Sequence, residues 1–110
     1  MNLKLIPNSS LLVFTFLLLC SNFLSQSATL RGIVYEKETG EPSFGTNVKI
    51  KGTGIGASTD LNGFYQITKI NPGKVIIEVT NIEFKTVEVE LELKPGKILT
   101  KNIYMESNDE

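Results

Sequence analysis

The stretch Val87–Leu93 alternates apolar and acidic residues without interruption, and this pattern constrains the fold more than any other in the chain. Successive side chains of a β-strand point to opposite faces, so the apolar residues share one face and the glutamates the other. Such a strand has one buried and one solvated face. The same period of two recurs in shorter rows, which are Val75, Ile77 and Val79; Tyr65 and Ile67; Val48 and Ile50; Leu30 and Val34; and Ile103 and Met105.

Short segments with residues typical of turns separate these rows. Glycine reaches positive φ without steric cost and proline presets φ, so both mark strand ends. Asn62-Gly63 is the strongest such signal and predicts a β-hairpin. The residues with a predicted structural turn role are Gly40, Pro42, Gly45, Gly52, Asp60, Asn62, Gly63, Pro72, Gly73, Pro95 and Gly96. Many short strands, with turns every eight to twelve residues or so, predict a sandwich or barrel. We expect seven strands and no helix within residues 29–105, followed by a polar tail at 106–110.

Residues 1–27 have the features of an export signal. Lys4 provides a basic start, Leu11–Cys20 is an unbroken apolar run, and small residues follow. This order is typical of a secretory signal peptide. The apolar run is short for a membrane-spanning helix, which needs roughly 20 residues. Cleavage is predicted after Ser27, with Ser25 or Ala28 as alternative last residues, and an uncleaved anchor is the alternative to cleavage.

Cys20 is the only cysteine and lies inside the predicted signal. A lipoprotein signal would also end in a cysteine, but Leu19 occupies the preceding position, where such signals have a small residue. Lipidation of Cys20 is therefore the alternative to its removal. A mature domain without cysteine has no disulfide, although an exported protein would be permitted one.

The balance of charges and the absence of histidine exclude several classes of function. Lys plus Arg number 11 and Asp plus Glu number 12, and no basic stripe is interleaved with aromatic residues, so nucleic acid is not a predicted partner. The chain contains no histidine. Without histidine and without a mature cysteine, common zinc sites and Ser-His or Cys-His pairs cannot be built. We predict no catalytic, metal-binding or cofactor-binding residues, no cofactor and no evident small-molecule substrate.

Two loop patterns resemble binding sites, and each has a structural alternative. Asp60-Leu-Asn62-Gly63 partly resembles a calcium loop, but the closing glutamate is missing, and the alternative is a turn in which Asp60 bonds its own backbone. The glycines at 52, 54 and 56 resemble a phosphate-binding loop in composition alone. Phosphate loops precede a helix, and the Gly73-Lys74 and Gly96-Lys97 pairs lack the following Ser or Thr, so turn glycines are the alternative.

Two sets of strand side chains also have both a functional and a structural interpretation. Glu88, Glu90 and Glu92 lie roughly 6.5–7 Å apart along one strand face, a spacing that glycosidase carboxylates also use, but an open solvated face is the favoured interpretation. Aromatic residues in strands usually pack in the core or on its flanks. The aromatic residues that would form an exposed binding patch are Phe44, Phe64, Tyr65, Phe84 and Tyr104. Of these, Phe64 and Phe84 are the predicted surface candidates.

The order of the turns resembles a known family. The matching segments are Gly32-Ile-Val34, Thr39-Gly-Glu-Pro42, Gly45-Thr-Asn-Val48, Gly52-Thr53, Thr59-Asp60, Asn62-Gly63 and Pro72-Gly73. This pattern resembles the carboxypeptidase-regulatory-like domain, whose fold is a transthyretin-like, Ig-like antiparallel β-sandwich of seven strands. The sequence departs from the family pattern at Thr46, where alanine is usual, and at Glu83-Phe84, where Gly-Tyr is usual.

The resemblance implies a non-catalytic, exported domain of a Gram-negative cell envelope, in the periplasm or at the outer membrane. The favoured hypothesis is an interaction or assembly domain that binds a protein partner, in one version by pairing of strand edges. The alternative is the periplasmic N-terminal extension of a TonB-dependent outer-membrane receptor for nutrient uptake, of which this chain would be the front end. Membrane association would then require an uncleaved or lipidated N-terminus or a downstream barrel.

Overall fold

The structure is a computed structural model that describes residues 26–108, and in these residues the chain is all-β. The strands are β1 (Ala28–Glu36), β2 (Asn47–Ile50), β3 (Gly56–Ser58), β4 (Phe64–Ile70), β5 (Gly73–Asn81), β6 (Phe84–Leu93), β7 (Ile98–Thr100) and β8 (Ile103–Met105). This part of the chain contains no helix that is long and apolar enough to cross a membrane. The predicted signal peptide lies outside the described residues, apart from Gln26 and Ser27.

The strands form two four-stranded sheets. Sheet 1 has the order β4-β1-β7, and β8 pairs with β1 beyond β7. Sheet 2 has the order β3-β2-β5-β6 and is antiparallel throughout. In sheet 1, β1 is antiparallel to β4 but parallel to both β7 and β8. Strands β4 and β6 are therefore the long outer strands of the sandwich, one in each sheet.

The residues that face the space between the sheets form one apolar core. Those that are buried are Ala28, Leu30, Val34, Val48, Ile50, Tyr65, Ile67, Ile70, Ile77, Val79, Phe84, Leu93, Ile103 and Met105. The period-two rows of the sequence thus face inward as predicted, and the inward orientation of Ile103 and Met105 is confirmed. Burial of apolar surface on this scale is the main favourable term for a domain without disulfides.

The all-β sandwich predicted from the sequence is confirmed, with a difference in its last strand. The segment from Ile98 to Met105, expected as one antiparallel strand, consists of β7 and β8, which run parallel to β1. Lys101 and Asn102 separate these two strands and lie across Gly32 of β1. This pair of residues is called the Lys101–Asn102 crossing. The pairing of the chain end with the first strand depends on tertiary contacts, which periodicity does not report.

The Lys101–Asn102 crossing is fixed to β1 by close contacts. The Lys101 amide donates to the Arg31 carbonyl (2.8 Å), and the Ile33 amide donates to Asn102 Oδ1 (3.0 Å). The buried Tyr65 hydroxyl donates to the Lys101 carbonyl (2.6 Å). A β-carbon at Gly32 would overlap that same carbonyl. Only glycine lets the crossing approach β1 so closely.

The hairpin predicted at Asn62-Gly63 is wrong in its pairing, although the tight turn is present. Strand β3 pairs with β2 and strand β4 pairs with β1, so the turn connects the two sheets. The Gly63 amide donates to the Asp60 carbonyl (2.9 Å), and Gly63 alone of the pair takes positive φ, at 75°. A type I′ hairpin turn requires positive φ at both central residues, which Asn62 does not supply here.

Candidate interaction surfaces

The outer edge of β6 is the longest open strand edge of sheet 2. One hydrogen bond shows which of its main-chain groups point outward. The Lys51 amide donates to the Ile76 carbonyl (2.8 Å), so the main-chain groups of Ile76 face β2. Main-chain groups alternate in direction along a strand, so those of Ile77 face β6, where Val89 is its partner. The amides and carbonyls of Glu88, Glu90 and Glu92 therefore point away from β5, and within residues 26–108 no strand pairs with them.

A bulge and the chain end close this edge at its start. Between the pairs Val79–Val87 and Asn81–Phe84, β6 has one residue more than β5. A bulge of this kind bends the strand and re-aims its polar groups. The Lys85 amide then donates to the Glu106 carbonyl (2.8 Å), and Ser107 bridges to Phe84. The first residues of the predicted polar tail therefore join β6, and the open part of the edge begins after Lys85.

The inner face of β6 is incompletely covered by sheet 1. Val87, Val89 and Leu91 pack against the core but are half-buried, whereas Leu93 is buried. Of their partners on β5, Ile77 and Val79 are completely buried, whereas Val75 is half-buried like Leu91 opposite it. The core therefore continues to the margin of the sandwich, where solvent reaches its apolar side chains.

The outer face of sheet 2 carries a lysine on β2, charges of both signs on β5 and glutamates on β6. Cross-strand neighbours include Lys49 opposite Glu78 and Lys74 opposite Glu92. Lys51 Nζ lies 2.7 Å from Glu88 Oε1, and this hydrogen bond, with the charge of Glu88, raises the pKa of Lys51. Such exposed pairs contribute little to stability.

The glutamates of β6 are exposed on this outer face, as the solvated-face interpretation predicts. Glu90 differs from its two neighbours, because its cross-strand partner is the apolar Ile76.

The outer strand of sheet 1, β4, is built differently. Its inward residues Tyr65, Ile67 and Ile70 are already buried, so no apolar row is left open there. Between the pairs Ala28–Ile70 and Leu30–Ile67, β4 has one residue more than β1, and Lys69 at this bulge has a φ of 58°. Bulges and edge lysines are devices that discourage pairing with a further strand.

The end of the sandwich at which the described chain finishes holds exposed apolar side chains on separate loops. Phe44, Leu61 and Ile82 are 63%, 78% and 94% exposed. A buried polar network ties these loops together beneath them. Its bonds join Ser43 Oγ with Thr46 Oγ1, the Thr59 hydroxyl with the Ser43 carbonyl, and Asn81 Nδ2 with Thr46 Oγ1. Thr46, a departure from the family pattern, thus occupies a hydrogen-bonded position inside the fold.

The predicted turn residues lie in the loops between strands, except Gly73, which is the first residue of β5. Positive φ angles occur at Gly40, Gly45, Gly52, Gly63, Gly73 and Gly96. Pro42 bridges to Tyr35, while Pro72 and Pro95 immediately precede the glycines of their turns. Asp60 Oδ1 accepts hydrogen bonds from the amides of Asn62 (2.9 Å) and Phe64 (3.0 Å). This is the self-bonded turn that is the alternative to a calcium loop, and residues 26–108 hold no cluster of three or more potential acidic or sulfur metal ligands.

The five aromatic candidates do not form one patch. Tyr65 is buried, and desolvation raises its pKa to about 12. Phe84 is also buried, so its predicted surface position is wrong: the bulge that follows it turns its ring into the core.

The other three are exposed in different places, with Phe44 in a loop, Phe64 at the start of β4, and Tyr104 stacked on Tyr35 at a ring-centroid distance of 5.3 Å. Phe64 therefore remains a surface candidate. The open edge of β6 was not singled out from the sequence, because strand order decides which strand lies at the margin.

The chain matches a domain family, and it is similar to part of two larger proteins. The CarboxypepD_reg-like domain family matches residues 30–110. The TonB-dependent receptor P39 of Formosa agariphila is 33% identical over 103 residues, which cover 90% of this chain and 10% of the receptor. The TonB-dependent receptor SusC of Bacteroides thetaiotaomicron is 33% identical over 89 residues, covering 81% of this chain and 9% of that protein. The chain thus spans about a tenth of the length of these relatives.

Solved structures similar to the chain support the fold alone, since their sequence identities are low. A type II cohesin–X-dockerin complex from Acetivibrio cellulolyticus contains a chain with a TM-score of 0.64 at 24% identity, covering 74% of this chain and 59% of that one. The minor pilin GBS52 of Streptococcus agalactiae gives a TM-score of 0.58 at 13% identity, covering 79% and 47%. Both similarities agree with a β-sandwich.

Proposed function

Because the chain belongs to the CarboxypepD_reg-like domain family, we propose that it is a non-catalytic protein-interaction domain of a TonB-dependent outer-membrane receptor, lying on the periplasmic side. The observation that carries this proposal is the 33% identity to two such receptors over most of the chain. Transport itself would be carried out by the rest of such a receptor, because the chain spans about a tenth of the relatives' length. The function of this domain would be to contact another envelope protein.

Three features of the chain support an interaction role. The predicted export signal would deliver the domain to the periplasm. Strand β6 leaves main-chain donors and acceptors open along its outer edge, and strand addition is a recurrent mode of recognition. The apolar side chains at the loop end are held on hydrogen-bonded loops, as in preorganised binding surfaces. We propose no cofactor, no metal and no small-molecule substrate for the domain itself.

An immunoblot of fractionated cells of the bacterium that carries this gene tests the proposal. An antibody against the domain should detect a protein about ten times as long as this chain, in the outer-membrane fraction, as expected from the length of the relatives. Protease added to intact cells should leave the epitope uncut, and protease added after osmotic shock should remove it. A protein of the size of this chain in the soluble periplasmic fraction would contradict the receptor assignment.

A further inference from the structure

We propose that the outer edge of β6 accepts a β-strand from a basic partner protein, one that alternates apolar residues with Lys or Arg. The inference rests on the proposed function in one respect, since it specifies how an interaction domain would bind. It concerns the segment Glu88–Glu92, where three consecutive outward-facing residues leave six main-chain groups for a neighbour. An added strand would lie about 4.8 Å away and bond to those groups.

The inner face of β6 favours added strands that have apolar residues at alternate positions. Val87, Val89 and Leu91 pack against the core but are only half-buried. A strand paired with β6 would place every second side chain beside this row and on the same face. Apolar residues at those positions would shield the core from solvent, whereas polar residues would leave it hydrated.

The outer face favours added strands that carry Lys or Arg. Lys49 of β2 stands opposite Glu78, Lys51 just after β2 forms an ion pair with Glu88, and Lys74 of β5 stands opposite Glu92. Glu78, Glu88 and Glu92 therefore each have a lysine side chain nearby. Glu90 has the apolar Ile76 instead. Glu88 stands opposite the like-charged Glu78. A following strand with Lys or Arg on its outer face would supply a cation for Glu90 and would offset the repulsion between these two glutamates.

The same charges argue against a second copy of this chain as the occupant. Antiparallel pairing of two β6 strands about Glu90 would set Glu90 opposite its own copy and Glu88 opposite Glu92. Like charges directly opposite each other in a sheet are destabilising. Acidic edge residues thus oppose self-association while they favour a basic strand. The edge of β4 is a poorer acceptor, because its inward residues are already buried and the bulge at Lys69 distorts it.

The test uses the purified chain, labelled with ¹⁵N, and a synthetic nine-residue peptide of alternating valine and lysine. Hydrogen exchange should slow at least about tenfold for the amides of Glu88, Glu90 and Glu92 when the peptide is bound at saturation. The amides of Val87, Val89 and Leu91 already bond to β5 and should change far less. A peptide of alternating valine and glutamate should produce no protection.

Two variants separate strand addition from other effects. Glu90→Pro removes the central outward amide and should abolish peptide binding. Gln66→Pro is the matched control: the Val34 amide donates to the Gly63 carbonyl, so alternation directs the Gln66 amide to the open edge of β4, and binding should persist. Glu90→Lys keeps the main chain intact and should weaken the lysine peptide at least about threefold. Circular dichroism establishes that each variant is folded.

Three outcomes would overturn the proposal. Binding that survives N-methylation of the peptide backbone but disappears in high salt would mean adsorption to the glutamate side chains rather than strand pairing. Protection of the β6 amides that rises with protein concentration alone would make a second copy the occupant. Protection at β4, or none anywhere, would exclude the edge altogether. None of these results depends on the immunoblot, so the receptor assignment and the binding mode fail separately.

Discussion

Sheet 1 and sheet 2 have equal numbers of strands, but they are held by different kinds of contact. Sheet 1 depends on irregular features: the Lys101–Asn102 crossing over Gly32, the Tyr65 hydroxyl bond, and the bulge at Lys69. Sheet 2 is an antiparallel ladder with one bulge at the start of its last strand, β6, which keeps an open edge. Sheet 1 is thus specified by individual residues, whereas sheet 2 is specified by a repeating pattern. We expect single substitutions to damage sheet 1 at particular points and sheet 2 according to strand parity.

Gly32→Ala should have the largest effect, because it forces the Lys101–Asn102 crossing off β1. The crossing would lose its bonds to Arg31 and Tyr65 together, at a cost on the order of 4 kcal/mol in the free energy of unfolding. Chemical denaturation of the purified variant measures this loss. Gly54→Ala is the control, since a β-carbon there meets nothing within 4 Å. Equal stability of the two variants would show that sheet 1 does not depend on this contact.

Proline substitutions at two adjacent positions of β6 should distinguish the side that pairs with β5 from the open edge. The Val89 amide faces β5, so Val89→Pro removes a ladder hydrogen bond and should cost about 3 kcal/mol. The Glu90 amide faces the open edge, where proline is tolerated, and Glu90→Pro should cost about 1 kcal/mol. Thermal melting of both variants gives the comparison. If Glu90→Pro proves the more damaging, the assignment of the open edge is reversed.

Tyr65→Phe should have an intermediate effect on sheet 1. Removing the hydroxyl leaves the Lys101 carbonyl without this donor, which costs about 1–2 kcal/mol. Denaturation at neutral pH measures it, with Tyr104→Phe as the exposed control.

The stability of the wild type should also depend on alkaline pH. Burial raises the folded-state pKa of Tyr65 to about 12, above its ordinary value of 10, so the folded state binds this proton more tightly than the unfolded state. Its contribution is complete below pH 10 and is lost as the pH rises through about 12. Tyr65→Phe should flatten this part of the pH profile. An unchanged slope between pH 10 and 12 would mean that the hydroxyl is not desolvated.

Lys69→Gly should have the smallest effect and the opposite sign. Lys69 has a φ of 58°, which costs a residue with a β-carbon about 1 kcal/mol or more. Glycine removes this strain but loses more entropy on folding, so a net gain of about 0.5 kcal/mol is expected. Lys69→Ala keeps the β-carbon and should bring no gain. A destabilised glycine variant would show that the lysine side chain, rather than the backbone, matters at this bulge.

The sequence predicted the strands of sheet 2 better than the ends of sheet 1. The alternation of Val87–Leu93 gave both the strand and its faces, because one buried and one solvated side leave a period of two. The segment from Ile98 onward was less regular, and its division into β7 and β8 comes from the crossing at Gly32. Phe84 illustrates the same limit, since a bulge changes the face of a residue without any sign in the local pattern.

The candidate surfaces show a similar division. The exposed glutamates of β6 and the self-bonded turn at Asp60 follow from local chemistry, which the sequence contains. The open edge does not, because a strand becomes the margin of a sheet only through the order in which distant strands pair. The buried network of Ser43, Thr46, Thr59 and Asn81 likewise joins residues from separate loops.

The sequence by itself determined that residues beyond the predicted export signal form an all-β sandwich, which side chains of the alternating rows face inward, and where the chain turns. Each of these depends on side-chain alternation or on the conformational preferences of glycine, proline and asparagine, which act within a few residues. Only the tertiary structure decided that β7 and β8 run parallel to β1, that Asn62-Gly63 connects the two sheets, and that β6 is left open. Pairing between strands distant in sequence is set by the packing of the whole core, and no local pattern encodes it.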